Sequence, residues 1–174
     1  MDLVYVTVKL NRSWDMETTR GNLAEKACIF CQIIAGTSPC HRVWEDDNYL
    51  AFLSIFPNTD GFTVVIPKYH LGSYLFDHPL QEVNNLMAAV QKVSRILVDR
   101  LPNVARTALI FEGYGVDHLH AKVVPLHGTG DNTWMEHIAR PKDKFGIYPG
   151  YVSSHDAERE SDDKLAQIAH LLNG

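Results

Sequence analysis

The pattern of hydrophobic and polar positions predicts a domain of mixed helices and strands. From Leu80 to about Arg100, apolar residues recur at three- and four-residue steps, which indicates one long amphipathic helix. The apolar spacing of residues 165–172 indicates a shorter closing helix after a capping region at Ser161. Runs typical of strands occupy residues 42–44, 49–53, 62–66, 106–111 and 118–123. The short links at 46–48 and 112–117 favour antiparallel pairing of the strands they join.

The last of these runs carries the most informative side chains. Alternation from His118 to Val123 places His118, His120 and Lys122 on one face of the predicted strand and the intervening apolar residues in the core. Same-face neighbours lie roughly 7 Å apart, so two imidazoles and an ammonium can act on one small ligand. With nine histidines in 174 residues, one accidental pair would be unremarkable, and Lys122 alone would be a solvated charge. A second cluster upstream favours a functional site.

That second cluster begins with a Cys-x-x-Cys pair. Cys28 and Cys31 start an apolar run that ends at Gly36, so both sulfurs lie on one face of a short predicted helix. The bulky residues between them and the missing preceding strand disfavour a redox dithiol. Three cysteines without a secretory pattern disfavour a disulfide. A metal half-site remains, and His70, just past the third predicted strand, would complete a Cys2His2 zinc set together with His118.

Five short motifs follow one another along the chain: Cys28–Gly36, Trp44–Asp47, Ala51–Leu53, Val64–His70 and His118–His120. In this order they resemble the histidine triad (HIT) superfamily, over roughly residues 28 to 127. The resemblance implies an α+β fold, with a five-stranded antiparallel sheet, two main helices and terminal extensions, commonly paired into a homodimer. It also implies a nucleotide phosphohydrolase or nucleotidyltransferase that acts at the α-phosphorus through a nucleotidyl-histidine intermediate.

Carried over position by position, the resemblance makes His120 the nucleophile. A neutral imidazole is competent in this role near pH 7. The third histidine of the triad is Lys122 here, and we expect its ammonium to stabilise phosphate oxygens in the transition state. The zinc-binding members of the family use four positions, which would hold a structural zinc ion in this chain: Cys28, Cys31, His70 and His118.

The same resemblance assigns seven residues to the substrate: Ile29, Phe30, Ser54, Ile55, Phe111, Gly113 and Gly115. Two of these seven positions, and one further position, depart from the family pattern. Ser54 replaces the aspartate that typically holds the ribose hydroxyls, Phe111 replaces an asparagine near the phosphates, and Phe62 stands where many members have a histidine. The retained His118 and His120 favour an enzyme. The altered ligand shell favours an inactive, zinc-stabilised module that binds nucleotides or another partner.

Composition narrows the class of protein further. The net charge of −5 argues against nucleic acid as the main partner. The partner that the resemblance implies is a small-molecule nucleotide or nucleotide conjugate. No apolar run approaches the roughly 18 residues of a membrane span, and the first residues lack a signal-peptide pattern. These features predict a cytoplasmic protein.

The organisation predicted along the chain has three parts. An N-terminal extension covers residues 1–27, where residues 3–10 form either an added edge strand or a loosely ordered arm. The HIT domain covers residues 28–128, and residues 129–174 hold an aromatic loop and the closing helix. We expect the aromatic residues of 129–160 to be buried at a homodimer contact rather than to form a lid over the ligand.

Overall fold

Five strands form one antiparallel sheet in the computed structural model, which describes residues 27–130 and 159–173. The strands are β1 (Arg42–Glu45), β2 (Tyr49–Leu53), β3 (Thr63–Pro67), β4 (Val104–Ile110) and β5 (Ala121–His127). The helices are α1 (Ile29–Ile34), α2 (Leu80–Arg100) and α3 (Asp162–Asn173), and a 3₁₀ turn covers Leu75–Asp77. The order across the sheet is β1-β2-β3-β5-β4, so α2 and β4 lie in the crossover between two neighbouring strands.

One face of the sheet packs against α2 and α3. The buried residues of α2 are spaced at three and four residues, as a helix that covers a sheet requires. They meet the inward residues of β2, β3 and β5, such as Ala51, Val65 and Val123, in one apolar core. The apolar residues of α3 join this core: Leu165, Ile168, Ala169 and Leu172. The closing helix is therefore part of the same hydrophobic core as the sheet.

The opposite face is covered by α1. Its smaller core contains buried residues of the two central hairpin strands and the residue before β3: Leu50, Phe52, Phe62, Val64 and Ile66. Phe30, Ile33 and Ile34 pack onto it from α1. Val64 pairs with Lys122, and Ile110 pairs with Lys122 from the other side. Because cross-strand partners point to one face, Lys122 lies on the α1 face of the sheet.

The predicted helices and strand pairings are confirmed, with one correction. The prediction that the last strand begins at His118 is wrong, because β5 begins at Ala121. The β3–β5 ladder ends at the pair Val65 and Ala121, close to Pro67, which has no N–H with which to continue it. The backbone before β5 bonds elsewhere, with Leu119 N donating to Leu71 O at 2.8 Å.

Some sequence predictions fall outside the described residues. The alternatives for residues 3–10 and most of the aromatic segment 129–160 lie in the undescribed ranges 1–26 and 131–158. Among the described helices, even the longest, α2, has too little apolar character to cross a membrane.

Candidate functional site

Four side chains from distant parts of the chain meet at one end of the sheet, on the α1 face. Cys28 occupies the N-cap position of α1, Cys31 lies in its first turn, His70 follows β3, and His118 precedes β5. Their ligand atoms all lie within 4.8 Å of one another. The structure therefore brings together all four residues that the sequence proposed for a metal.

The distances fit tetrahedral zinc. Bonds of about 2.0–2.3 Å at the tetrahedral angle put neighbouring nitrogen and sulfur ligands about 3.5 Å apart. The Nδ1 of His118 lies 3.5 Å from Cys28 Sγ and 3.6 Å from Cys31 Sγ. The Nδ1 of His70 lies 3.4 Å from Cys31 Sγ. Two thiolates and two imidazoles form a closed N2S2 set typical of structural zinc sites.

A hydrogen bond at the second ring nitrogen of His118 directs the lone pair of the other nitrogen towards the cysteines. Its Nε2 lies 3.0 Å from the carbonyl oxygen of Pro67, which can only accept, so Nε2 carries the proton. The lone pair is then on Nδ1, which faces the cysteines. His118 is completely buried, and burial lowers its pKa to about 4. The imidazole is therefore neutral, as a metal ligand must be.

His120 is fixed in the complementary tautomer. Its Nδ1 donates to the backbone carbonyl of His118 at 2.7 Å, which leaves the lone pair on Nε2. The side chain is only 3% exposed, and burial lowers its pKa, so the ring is neutral at physiological pH. A neutral imidazole with its Nε2 lone pair available is the form in which a histidine acts as a nucleophile.

Lys122 forms an ion pair with Glu112, a residue that the sequence analysis did not single out. The Lys122 ammonium contacts Glu112 Oε1, and the two side chains are 15% and 11% exposed. The other carboxylate oxygen, Oε2, is buried without a hydrogen-bond partner among the described residues. The sequence held one signal: Glu112 is a lone carboxylate directly after the apolar run of β4.

Phe30 is the residue of α1 that contacts the histidines. Its ring packs edge-on against His118, His120 and Phe52, with centroid distances of 5.5–5.8 Å. Ile29, the preceding residue, is largely exposed. Phe30 therefore links the metal cluster to the candidate nucleophile, and its assignment to the substrate stays a prediction.

The remaining predicted substrate residues are spread around the sheet. The hydroxyl of Ser54 accepts a hydrogen bond from Phe56 N at 3.2 Å, and Ile55 is exposed beside it. Phe111 is partly buried against the larger core, on the α2 side of the sheet. The structure gives Phe111 a packing role, and its assignment to the nucleotide stays a prediction.

The two glycines of the loop before His118 both have left-handed backbone angles. Gly113 has φ +70° and Gly115 φ +87°, a region that side chains rarely adopt. At Gly113 a Cβ atom would also lie 3.1 Å from the carbonyl oxygen of Ser73. Both positions therefore require glycine for local conformation, and their approach to a ligand stays a prediction.

With this geometry established, comparison with known proteins identifies the family. The HIT domain family model matches residues 35–129, more than half of the chain. The chain belongs to the HIT family. The matched range contains β1 to β5, α2, His70 and the His118–His120 pair.

Relatives across the HIT family cover most of the chain. The protein named "Protein hit" of Bacillus subtilis is 35% identical over 129 residues, which are 69% of this chain and 88% of that protein. The adenosine 5′-monophosphoramidase of Schizosaccharomyces pombe is 29% identical and covers 73% of this chain, with 84% of its own length matched.

One similar solved structure is described as zinc-bound. The zinc-bound histidine triad family protein of Mycobacterium smegmatis superposes with a TM-score of 0.58 at 28% identity. The match covers 86% of this chain and 92% of that one. The predicted fold class, a HIT-like five-stranded antiparallel sheet with two main helices, is therefore confirmed.

Proposed function

We propose that this HIT protein is a nucleotide hydrolase or nucleotidyltransferase that uses His120 as its nucleophile. The observation that carries the proposal is the hydrogen bond from His120 Nδ1 to the carbonyl of His118, because it presents Nε2 as a neutral nucleophile. The relatives named adenosine 5′-monophosphoramidase in two yeasts support a nucleotide substrate with a phosphorus–nitrogen bond.

The reaction has two displacements at the α-phosphorus. His120 Nε2 forms a bond to phosphorus while the bond to the leaving group breaks, and the leaving group takes a proton from solvent. Water, or another acceptor in a transferase, then forms a bond to phosphorus and loses a proton to solvent, while the bond to His120 Nε2 breaks and the neutral histidine is restored. Lys122, two residues along the same face, donates to the phosphate oxygens as negative charge develops on them.

Zinc has a structural role in this proposal. Cys28, Cys31, His70 and His118 would hold the ion, and a closed four-ligand set leaves no position for a substrate or a reactive water. The metal would fix the strand segment that carries His120 against α1. It takes part in no step of the reaction.

The decisive experiment replaces His120 with alanine. We expect hydrolysis of adenosine 5′-phosphoramidate to fall to background while zinc content and thermal unfolding stay near those of the wild type, because His120 is not a predicted metal ligand. His127→Ala is a matched control, since the ring of this exposed histidine hydrogen-bonds to the Asp60 carbonyl at 2.9 Å and lies outside the candidate site. Full activity of the His120→Ala protein would end the proposal. A phosphorus adduct trapped on His120 would support it directly.

The contribution of Lys122 is measured separately. For Lys122→Ala we expect a loss of about tenfold to a thousandfold in rate, which is the range for removing a desolvated donor of the transition state. An unchanged rate would remove the cation from the mechanism and leave His120 in it.

The second candidate function is a binding module without turnover. The presence of Ser54 and Phe111 at positions where the family has polar ligand contacts favours it. A protein that binds adenosine 5′-monophosphate and forms no adduct on His120 with any nucleoside phosphoramidate, polyphosphate or sugar nucleotide would establish it.

A homodimer is part of the proposal. In the described sheet β4 is an edge strand, and unpaired edges are commonly covered by a partner. A groove of about 440 Å³ runs between β4 and α2 and is lined by Met87, Thr107 and Leu109, among others. Light scattering at micromolar concentration should give twice the 19.6 kDa of the chain. A mass near that of one chain would contradict the dimer.

A further inference from the structure

The pair formed by Lys122 and Glu112 is unusual for its position in the sheet. The side chains of Lys122 and Glu112 are only 15% and 11% exposed, and both lie on the face that carries His120. A buried ion pair contributes little to stability, because removing two charges from water offsets their attraction. Folding alone therefore gives little reason for this pair.

The second carboxylate oxygen of Glu112 is a further reason to doubt that the pair serves only stability. Its Oε1 contacts the Lys122 ammonium, but Oε2 is buried without a hydrogen-bond partner in the described ranges 27–130 and 159–173. A buried acceptor left unpaired costs roughly 1–3 kcal/mol and more when it is charged. An apolar residue would avoid this cost, so the carboxylate itself is the property to explain.

The charge has a direct consequence for the candidate active site. His118 and His120 each donate one ring N–H to a backbone carbonyl, and the ammonium of Lys122 is the nearest lysine or arginine charge to the nucleophile along its strand. Glu112 compensates that charge within the same low-dielectric surroundings, where electrostatic interactions are strong. The pair keeps a directed N–H donor on the strand while its net charge is zero.

We propose that Glu112 determines the charge specificity of the site: by compensating Lys122 it makes the site select a nucleotide whose attacked phosphorus carries one negative charge and release the doubly charged monophosphate product. This inference rests on the proposed function, since it places the nucleotide phosphorus beside His120 and Lys122. An uncompensated lysine would hold the dianionic product more tightly than the monoanionic substrate and would slow product release.

The test is a cycle of four proteins that differ in the charge of the pair. The first protein keeps Lys122 and Glu112, so the net charge of the pair is 0. The other three carry Glu112→Gln (net charge +1), Lys122→Gln (net charge −1) and both substitutions (net charge 0). All four are made in the His120→Ala background so that no substrate is consumed. Calorimetry at pH 8 measures the affinity for adenosine 5′-monophosphate, a dianion, and for adenosine 5′-phosphoramidate, a monoanion.

We expect Glu112→Gln to bind the monophosphate about tenfold or more tightly than the parent, and Lys122→Gln to bind it more weakly by a similar factor. The double variant should return close to the parent, and the phosphoramidate should respond less than the monophosphate throughout. With the pair intact, the dianion should bind no more tightly than the monoanion. This last comparison needs no substitution in the pair, so it holds even if Glu112→Gln fails to fold.

Two outcomes would overturn the inference. If Glu112→Gln weakens or leaves unchanged the binding of the monophosphate, Glu112 only supports the structure. If the intact pair already favours the dianion, the compensation does not select charge. Either result leaves the proposed function standing when His120 is required for turnover in the otherwise unmodified protein. Failure of both nucleotides to bind any of the four proteins would contradict the proposed function as well.

Discussion

Helices cover both faces of the sheet, but different interactions fix the helices on each face. On one face, α2 extends over 21 residues and packs an apolar stripe onto a large core, which α3 completes. On the other face, α1 has six residues, none of them fully buried, and no side-chain hydrogen bond caps its N-terminus. Isolated helices of this length are unstable in water, so α1 depends on its attachments.

Those attachments include the candidate metal site, which lies on the α1 face. Partly buried apolar residues of α1 reach the small core, and two cysteines at its start reach His70 and His118. A zinc ion bound to these cysteines and histidines would stabilise the position of α1 more than its small apolar contact area does. A bound metal ion would let this sheet face carry polar groups such as His120 and Lys122, because the ion would help the small apolar core to position α1.

The largest effect should come from removing a metal ligand. We expect Cys28→Ser to abolish stoichiometric zinc binding and to lower the free energy of unfolding by more than about 5 kcal/mol, since structural zinc contributes roughly 10–16 kcal/mol in small zinc domains. Elemental analysis and denaturant unfolding measure both quantities.

Cys40→Ser is the matched control, because Cys40 packs against the same small core and lies outside the metal cluster. It should keep zinc and lose about 1 kcal/mol or less. If the two serine variants behave alike, the α1 face is held by packing and the contrast between the faces disappears.

A smaller effect is expected in the apolar core of the other face. Leu97 is completely buried on α2, so Leu97→Ala should lower the free energy of unfolding by about 2–5 kcal/mol. Zinc content should remain one per chain, since the cluster lies across the sheet. Leu80→Ala provides the control, because Leu80 in the same helix is 72% exposed and its loss should cost little. Loss of zinc in the Leu97 variant would show that the faces are not independent.

The smallest effect concerns the N-terminus of α3. The hydroxyl of Ser161 accepts a hydrogen bond from Lys164 N at 3.3 Å, as an N-cap does. Ser161→Ala should lower the free energy of unfolding by about 0.5–2 kcal/mol and leave zinc and nucleotide hydrolysis unchanged. A loss of activity larger than the loss of stability would connect α3 to the site and weaken the separation of the two faces.

The parts of the fold that follow local rules could be predicted from the sequence. The structure begins α2 at Leu80 and ends it at Arg100, as the apolar periodicity predicts, and the hairpin of β1 and β2 forms around the predicted turn. The sequence also predicts the four candidate metal ligands, because cysteine and histidine at these spacings have few other uses, and the structure brings these four side chains together. Their convergence could be inferred because each follows or precedes a predicted element end.

Other features depend on three-dimensional neighbours that no local pattern reveals. The start of β5 is set by Pro67 on a different strand, which ends the ladder and instead accepts from the His118 ring. The partner of Lys122 is Glu112, ten residues earlier, whose carboxylate reaches it only because β4 and β5 are paired. Sequence alternation predicts the face on which Lys122 lies, but it does not predict the carboxylate that pairs with it.

The separation of Cys28 and His118 along the chain has a consequence for how the protein folds. These two residues are 90 positions apart, so a metal ion bound to both would close a loop that contains α1, α2 and four of the five described strands. During synthesis the cysteine pair emerges first and can offer only half a coordination shell until His118 follows. Tight metal capture should therefore come late, after the crossover through α2 has brought β5 beside β3, and the bound ion then reports that the topology has closed correctly.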